Sequence, residues 1–314
     1  MPNTYAITGA TGLLGSNLAN ALIESGNTVF ALIKDEQSRS ILSRSANRVF
    51  GDINNQRDIE YFIQKSNPDF FIHLAAQTQA YDSLKYPYQT FYNNCIGTLN
   101  VLECLREFGG ARGIIVASSD KAYGELIGET YTEDHPLKGI YPYDASKSAT
   151  DLISTSYRKT YDLPIVVTRA CNIYGRGDYN TQRLIPGIIN SHITKKVFTL
   201  RNGGRDLREY INVDDVVQAY IHILYYAENL GPETAFNISS GDRFTTLEVF
   251  NLVQNVVGID IPHTTVESHS LEIKRQFMDS TLLQKETGWK PQVGFLSILP
   301  SVVDWYLENL QLRR

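Results

Sequence analysis

Cysteine is scarce: three residues in 314 (Cys95, Cys104 and Cys171), too few and too scattered for a disulfide framework or a zinc site. No apolar run approaches the ~18 residues of a membrane span. Internal repeats, low-complexity tracts and linker-like stretches are missing too. Positive charge is not in excess, since 29 Lys and Arg against 34 Asp and Glu leave a formal net charge of −5. That balance argues against non-specific binding to nucleic acid or to an anionic membrane. The opening residues MPNTYAITGATG run straight into a strand pattern, with neither a charged leader nor a cleavable apolar core. No metal site is expected. A cytoplasmic enzyme with free thiols, at least two of them buried in a helical pattern, fits all of this.

What the chain does have is alternation. TYAIT (4–8), TVFALI (28–33), RVFGD, DFFIHLA (69–75), GIIVAS and PIVVTRA (164–170) read as strands. Helical periods run between them through GSNLANALIESG, DIEYFIQKS, residues 88–108 and residues 144–161. Strands alternating with helices predict βαβ units: an α/β fold whose doubly wound, Rossmann-type parallel sheet is covered on both faces. Ligands on such sheets bind at the carboxyl ends of the strands. The unusual residues fall at those ends: Gly9 to Gly15, His73 to Thr78, Ser118 to Lys121 and Asn172 to Gly177. Beyond 172 the alternation loosens, which predicts a smaller lobe packed on the first.

AITGATGLLGSNLANAL sets Gly9, Gly12 and Gly15 just after the first strand, at the start of a helix. Such glycines serve a tight turn, close approach of backbone to a pyrophosphate, and close packing of helix on sheet. The helix N-terminus adds free N–H groups and a positive dipole end. Dinucleotide binding follows, with Thr11, Leu13 and Leu14 in the same turn and Leu74, Ala75, Ala76 and Gln77 at a neighbouring strand end. An acidic residue about 20 positions on should hold the adenosine ribose. Asp35 stands there, flanked by Lys34 and Arg39, either of which could instead receive a 2′-phosphate. NAD is expected, with NADP not excluded. The GxxGxxG spacing resembles the extended short-chain dehydrogenase/reductase superfamily, the NAD-dependent epimerases and dehydratases. GDI resembles that family's adenine-contacting segment, which implicates Asp52 and Ile53.

YPYDASKSATDLI carries Tyr143 and Lys147, which share one helix face at i and i+4. A free phenol, with a pKa near ~10, is a poor base at neutral pH, and a fixed cation beside it favours the phenolate. Such a tyrosinate can take a proton from a sugar hydroxyl as hydride leaves the same carbon. With TGATGLLG, FFIHLAAQT and NIYG in order, the resemblance covers essentially the whole chain. Ser119 matches the hydroxyl residue of the family's catalytic group.

In IIVASSDKAYGE two opposite charges, Asp120 and Lys121, follow that serine. The segment resembles the nucleotide-sugar 4,6-dehydratases, which place an acid and a base here. The Asp-Lys pair looks like that of the CDP-glucose 4,6-dehydratases, a likeness extended by YTEDHPLKG and RQFMDSTLLQKETGWKP. The resemblance implies oxidation at C4, loss of water across C5 and C6, and return of hydride to C6. Asp120 would serve as acid and Lys121 as base, or Lys121 would stay protonated and orient the substrate. An exposed ion pair is the plain alternative. A nucleotide-sugar 4-epimerase using Ser119, Tyr143 and Lys147 alone, and a catalytically idle NAD(P)-binding module, are the other readings.

A diphosphate substrate calls for cations and amides: Arg183, Arg208 and Arg275 are candidates; by resemblance Asn172 meets the diphosphate, and Thr78 is expected near the nicotinamide ribose and the sugar. His73 reads as structural or cofactor-lining. By resemblance, residues 1–172 form the dinucleotide-binding domain, with 208–238 returning to it. Residues 173–207 and 239–314 form the substrate-binding lobe. Helices near 88–108 and 144–161 would form a four-helix bundle between two copies in a homodimer.

Overall fold

A computed structural model describes residues 2–126, 130–229, 231–267 and 273–310. Strands β1 (Thr4–Thr8), β2 (Thr28–Ile33), β3 (Asn47–Phe50), β4 (Phe70–His73), β5 (Gly113–Ala117) and β6 (Ile165–Ala170) join the strand Ala235–Ile238 in one seven-stranded sheet. Its order is Ala235–Ile238, β6, β5, β4, β1, β2, β3, and every pairing is parallel.

Apart from the edge strand β3, which buries only Val49, the strands are short apolar runs because both faces are covered. Successive side chains point to opposite faces. Tyr5, Ile7, Phe70 and Ile72 therefore enter one apolar layer, while Ala6 and Phe71 enter the other. The helices Leu13–Glu24 and Val213–Glu228 supply Leu18, Leu22, Val216 and Ile223 to the first layer. Gln56–Ser66 and Gly97–Phe108 supply Phe62, Ile63, Val101 and Leu105 to the second. Beyond β6, Asn172–Tyr174 pairs with Leu207–Asn212, which pairs with Arg243–Thr245. A separate apolar cluster gathers Ile188, Phe250, Phe295, Val303 and Tyr306. The helix Thr246–Val257 there opens on a capping box of Thr245 and Glu248. Among the described residues no helix is long and apolar enough to cross a membrane. The last four residues of the expected substrate lobe, 311–314, lie outside the described residues.

One helix departs from its expected form. Residues 87–108 are helical throughout, but Tyr92–Ile96 form a π-helical turn inside the run. Apolar spacing cannot reveal one widened turn, because its side chains on either side stay helical. A short helix, Ala80–Lys85, also precedes it.

A buried ion pair fastens β6 to the helix Pro142–Tyr161. Arg169 donates from Nε to Asp151 Oδ2 at 2.7 Å and from Nη2 to Oδ1 at 3.0 Å. Its Nη1 reaches the Tyr123 hydroxyl at 2.7 Å, and that hydroxyl donates to Asn237 Oδ1 at 2.7 Å. Removing one partner of such a pair strands a charge in the interior. Asp151→Ala should lower the unfolding free energy by about 3–5 kcal/mol in urea titrations. A loss below ~1 kcal/mol, the scale of an exposed pair, would contradict this role.

Candidate active site

A cleft of about 1180 Å³ lies along the carboxyl ends of β1, β4, β5 and β6. At β1 the chain turns through Gly9 at φ +71°, and Gly12 N–H closes on Gly9 O at 3.1 Å. A Cβ on Gly9 would stand 2.7 Å from Ala75 N, and one on Gly15 only 2.2 Å from Gly9 O. Neither distance is possible, so backbone packs directly on backbone. A Cβ on Gly12 would meet nothing nearer than Gly9 O at 3.4 Å, which leaves room above the turn on the cleft side. The helix Leu13–Glu24 starts there with no side-chain cap and no acidic residue in its first turn. Its N–H groups are thus available to an anion. Thr11, Leu13, Leu14, Leu74, Ala75, Ala76 and Gln77 line the same wall. Among the described residues, Gln77 Oε1 and Gln79 Nε2 on this wall are buried without a hydrogen-bond partner, polar atoms that a bound ligand could satisfy. The residues present therefore fit a dinucleotide diphosphate and ribose.

Beyond β2, where the adenosine is expected, Ile53, Lys34 and Arg39 line the cleft, while Asp35 and Asp52 do not. Asp35 is exposed and its Oδ1 accepts from Gln37 N at 2.9 Å. Lys34 pairs with Asp52 at 2.8 Å. Arg39 donates to Asn309 O at 2.7 Å and lies 4.5 Å from the Tyr179 ring centroid. The spacing rule pointed to the carboxylate, but the bend after β2 turns that side chain back on its own loop.

His73 ends β4 buried, with Nδ1 at 2.7 Å from Thr8 Oγ1 and Nε2 at 3.1 Å from Thr98 Oγ1. Burial, helped by the Lys147 charge, pushes its pKa down to about 3, so it pins β1, β4 and a helix as a neutral ring. The π turn aims Asn94 inward. Its Oδ1 accepts from Gln77 N at 2.7 Å, and its Nδ2 donates to Gln77 O at 3.0 Å and Ser146 Oγ at 2.9 Å. π turns often occur at functional sites. The sequence pattern does not single out Asn94, since an asparagine in a helical run carries no period of its own.

Ser119, Asp120, Lys121, Tyr143 and Lys147 all line the cleft. Ser119 caps the short helical turn Asp120–Tyr123; its Oγ accepts from Lys121 N at 3.2 Å and donates to Asp120 Oδ1 at 2.9 Å. Tyr143 is buried, and burial pushes its phenol up, opposed by the Ser119 hydroxyl and the Arg183 charge. Lys147 Nζ donates to Ala117 O at 2.8 Å, and burial pushes its pKa down to about 8. A buried glutamine, Gln276 in the segment RQFMDSTLLQKETGWKP, touches the next pair. Lys121 Nζ donates to Gln276 Oε1 at 2.6 Å, and Gln276 Nε2 donates to Asp120 O at 2.7 Å.

On the far wall stand Thr78, Asn172, Arg183 and Arg208. Asn172 Nδ2 donates to Glu209 O at 2.9 Å. Arg183 Nη1 reaches Asp178 Oδ2 at 3.2 Å, and Arg208 Nη1 reaches Leu207 O at 3.1 Å and Lys274 O at 3.2 Å. Arg275 is exposed beside Phe277 and does not line the cleft.

The profile of the NAD dependent epimerase/dehydratase family matches residues 5–239. A trifunctional UDP-glucose 4,6-dehydratase/UDP-4-keto-6-deoxy-D-glucose 3,5-epimerase/UDP-4-keto-L-rhamnose-reductase of Arabidopsis thaliana is 27% identical, over 98% of this chain and 48% of that protein. This chain thus spans about half the length of the first curated relatives it matches. A dTDP-glucose 4,6-dehydratase of Streptomyces venezuelae, solved with NAD bound, shares 26% identity over 97% of both chains at a TM-score of 0.89. A UDP-glucose 4-epimerase of Thermotoga maritima, solved with UDP-glucose, shares 25% identity over 98% of this chain and 99% of its own, also at 0.89.

The depressed Lys147 links function to stability. Between about 8 and the ordinary lysine value of ~10.4, the folded chain binds fewer protons at this site than the unfolded chain. Stability contributed by this group therefore rises with pH across that window, and below it the folded state bears the full cost of a buried charge. The unfolding free energy should climb relative to Lys147→Met by about 2 kcal/mol from pH ~8 to ~10. Parallel curves for the two proteins would contradict the assignment.

Proposed function

This chain belongs to the NAD dependent epimerase/dehydratase family, and on that premise we propose that it is a nucleotide-sugar 4,6-dehydratase using bound NAD. CDP-glucose is the first substrate to test, and the product is a 4-keto-6-deoxy sugar. One observation carries this reading: Asp120 and Lys121 line the same cleft as Ser119, Tyr143 and Lys147. Oxidising and reducing a single carbinol needs only the last three. Removing water across C5 and C6 needs an acid and a base more.

The work divides among these side chains. When bound, NAD supplies a hydride acceptor that later acts as the donor, and a positive charge near the phenol. Tyr143 takes the proton of the C4 hydroxyl, with Ser119 holding that oxygen. A ketone at C4 acidifies the C5 proton, which Lys121 removes, while Asp120 protonates the C6 hydroxyl as it leaves. Each group acts within hydrogen-bond reach of its own carbon. Lys121 then returns a proton to C5 as C6 regains the hydride, so the two protons taken up match the two given back, and one water is lost with no net oxidant. Burial of Tyr143 and Lys147 excludes solvent from the first step.

Arg183, Arg208, Asn172 and Thr78 are proposed to hold the substrate, the guanidinium forks meeting diphosphate oxygens. Residues 173–207 and 239–310 then serve as the substrate lobe against the dinucleotide-binding part. Lys34 and Arg39 are engaged by Asp52 and by Asn309, which favours NAD over a cofactor with a 2′-phosphate. The helical stretches 87–108 and 142–161 expose Tyr88, Leu152 and Tyr161, and we place a homodimer contact there, four helices across a twofold axis. A 4-epimerase is the rival, since one such enzyme matches this chain as well in fold as a dehydratase does.

Incubation with CDP-, dTDP-, UDP- and GDP-glucose followed by mass spectrometry decides between the two. Loss of one water mass is expected, and an isomer of unchanged mass would overturn the dehydratase. Tyr143→Phe should yield no reduced cofactor at all. Asp120→Asn should still oxidise C4 but lose water ~100-fold more slowly. Failure of both variants at the same step would contradict the division of roles.

A further inference from the structure

Gln276 lies outside the catalytic group that the sequence pattern marks, yet its buried carboxamide hydrogen-bonds both the Lys121 amine and the Asp120 backbone. We propose that Gln276 is a positioning residue for the elimination step: its carboxamide locks the Asp120–Lys121 turn and sets the proton affinity of the Lys121 amine. This inference rests on the dehydratase reading above.

The orientation of the amide is forced by chemistry. The carbonyl of Asp120 can only accept, so the amide nitrogen must face it, which leaves the oxygen for Lys121. The carboxamide therefore binds the turn at two points, one on the backbone and one on the amine. A carbonyl oxygen accepts a hydrogen bond from either an ammonium or a neutral amine, so it restrains Nζ without forbidding deprotonation. A carboxylate at the same place would favour the ammonium strongly.

Gln276 is itself held from both sides. Leu207 N donates to Lys274 O at 3.0 Å, and Tyr131 N donates to Phe277 O at 2.9 Å. Met278 N donates to the buried Glu209 Oε2 at 2.7 Å, and Asp279 N donates to Tyr131 O at 2.8 Å. A segment with four such anchors presents its inward amide on a rigid mount, as a precise site requires.

The other titratable groups around this turn come from several elements. Asp120, Glu125 and Tyr131 belong to the turn and the chain after it, and Tyr143 and Asp144 to the helix opposite. Cys171 faces both Asp120 and Glu209 from beyond β6, with Arg183 near Tyr143, Arg208 near Tyr131, and Lys274 and Arg275 beside Gln276 itself. None changes in the variants below, so differences between their profiles report the contact at position 276.

The test follows the elimination rate against pH in single turnovers, with the sugar among CDP-, dTDP-, UDP- and GDP-glucose that the protein dehydrates. C4 oxidation is read separately from the absorbance of reduced nicotinamide. A base that must be neutral gives a limb that rises with pH. Gln276→Glu should move that limb up by about 1–2 pH units, because an adjacent carboxylate stabilises the ammonium. Gln276→Met should move it down, because the amine loses an acceptor, and should slow elimination more than C4 oxidation. A merely structural role would move both limbs the same way or neither. Should Gln276→Met fail to fold, the direction of the Gln276→Glu shift decides alone. If Lys121→Met stops elimination while both Gln276 variants leave the limb in place, the inference falls and the dehydratase reading stands. If no nucleotide-glucose loses water, or Lys121→Met eliminates at the wild-type rate, the dehydratase reading falls and takes the inference with it.

Discussion

The ion pair between Arg169 and Asp151 holds together the pieces that the cleft requires. Arg169 comes from β6, Asp151 from the helix that carries Tyr143 and Lys147, and the Tyr123 hydroxyl from the turn that begins at Asp120. One guanidinium thus ties the helix of Tyr143 and Lys147, the turn of Asp120 and Lys121, and the sheet to a common frame. A buried pair of this kind gains little net stability against apolar replacements. Its contribution here is geometric: it sets the distance between the Tyr143–Lys147 helix and the turn that begins at Asp120.

The polar side chains at the strand ends obey the same constraint. A buried polar group without a partner costs on the order of 1–3 kcal/mol. Thr8, His73, Thr98 and Asn94 satisfy one another in a chain that ends on Gln77 and Ser146, and Ser146 Oγ donates to Tyr143 O at 2.7 Å. The cleft wall at Gln77 and the helix that carries Tyr143 are therefore parts of one network. Moving either would unpair groups on the other.

The fold was largely legible because it is written in local patterns. Runs such as TVFALI and PIVVTRA are apolar on both faces, which only a covered parallel strand needs. The glycine turn could be read because a residue without Cβ is the only one that fits 2.2 Å from a carbonyl oxygen. Features that depend on the path between elements were not legible. The π turn at Tyr92–Ile96 keeps helical spacing around it, Asp35 is turned away by its own loop, and Arg275 lands on the outer surface. Gln276 was hidden for another reason: it lies 155 residues from Lys121 in sequence, and only the folded chain brings the two together. Tyr143 teaches a related lesson. The i, i+4 spacing places a cation near the phenol, but Lys147 spends a hydrogen bond on Ala117 O and burial dominates the tyrosine.

Fold similarity does not distinguish elimination from epimerisation, because both chemistries sit on this scaffold at the same TM-score. If this chain is a dehydratase, the difference resides in two side chains on the turn after β5. Placing deuterium at C4 of the nucleotide-glucose and following it by NMR tests this most directly. A dehydratase moves the label to the C6 methyl group while the C5 proton exchanges with solvent, and that is the expected result. Label found again at C4 of an intact, isomerised hexose would contradict it.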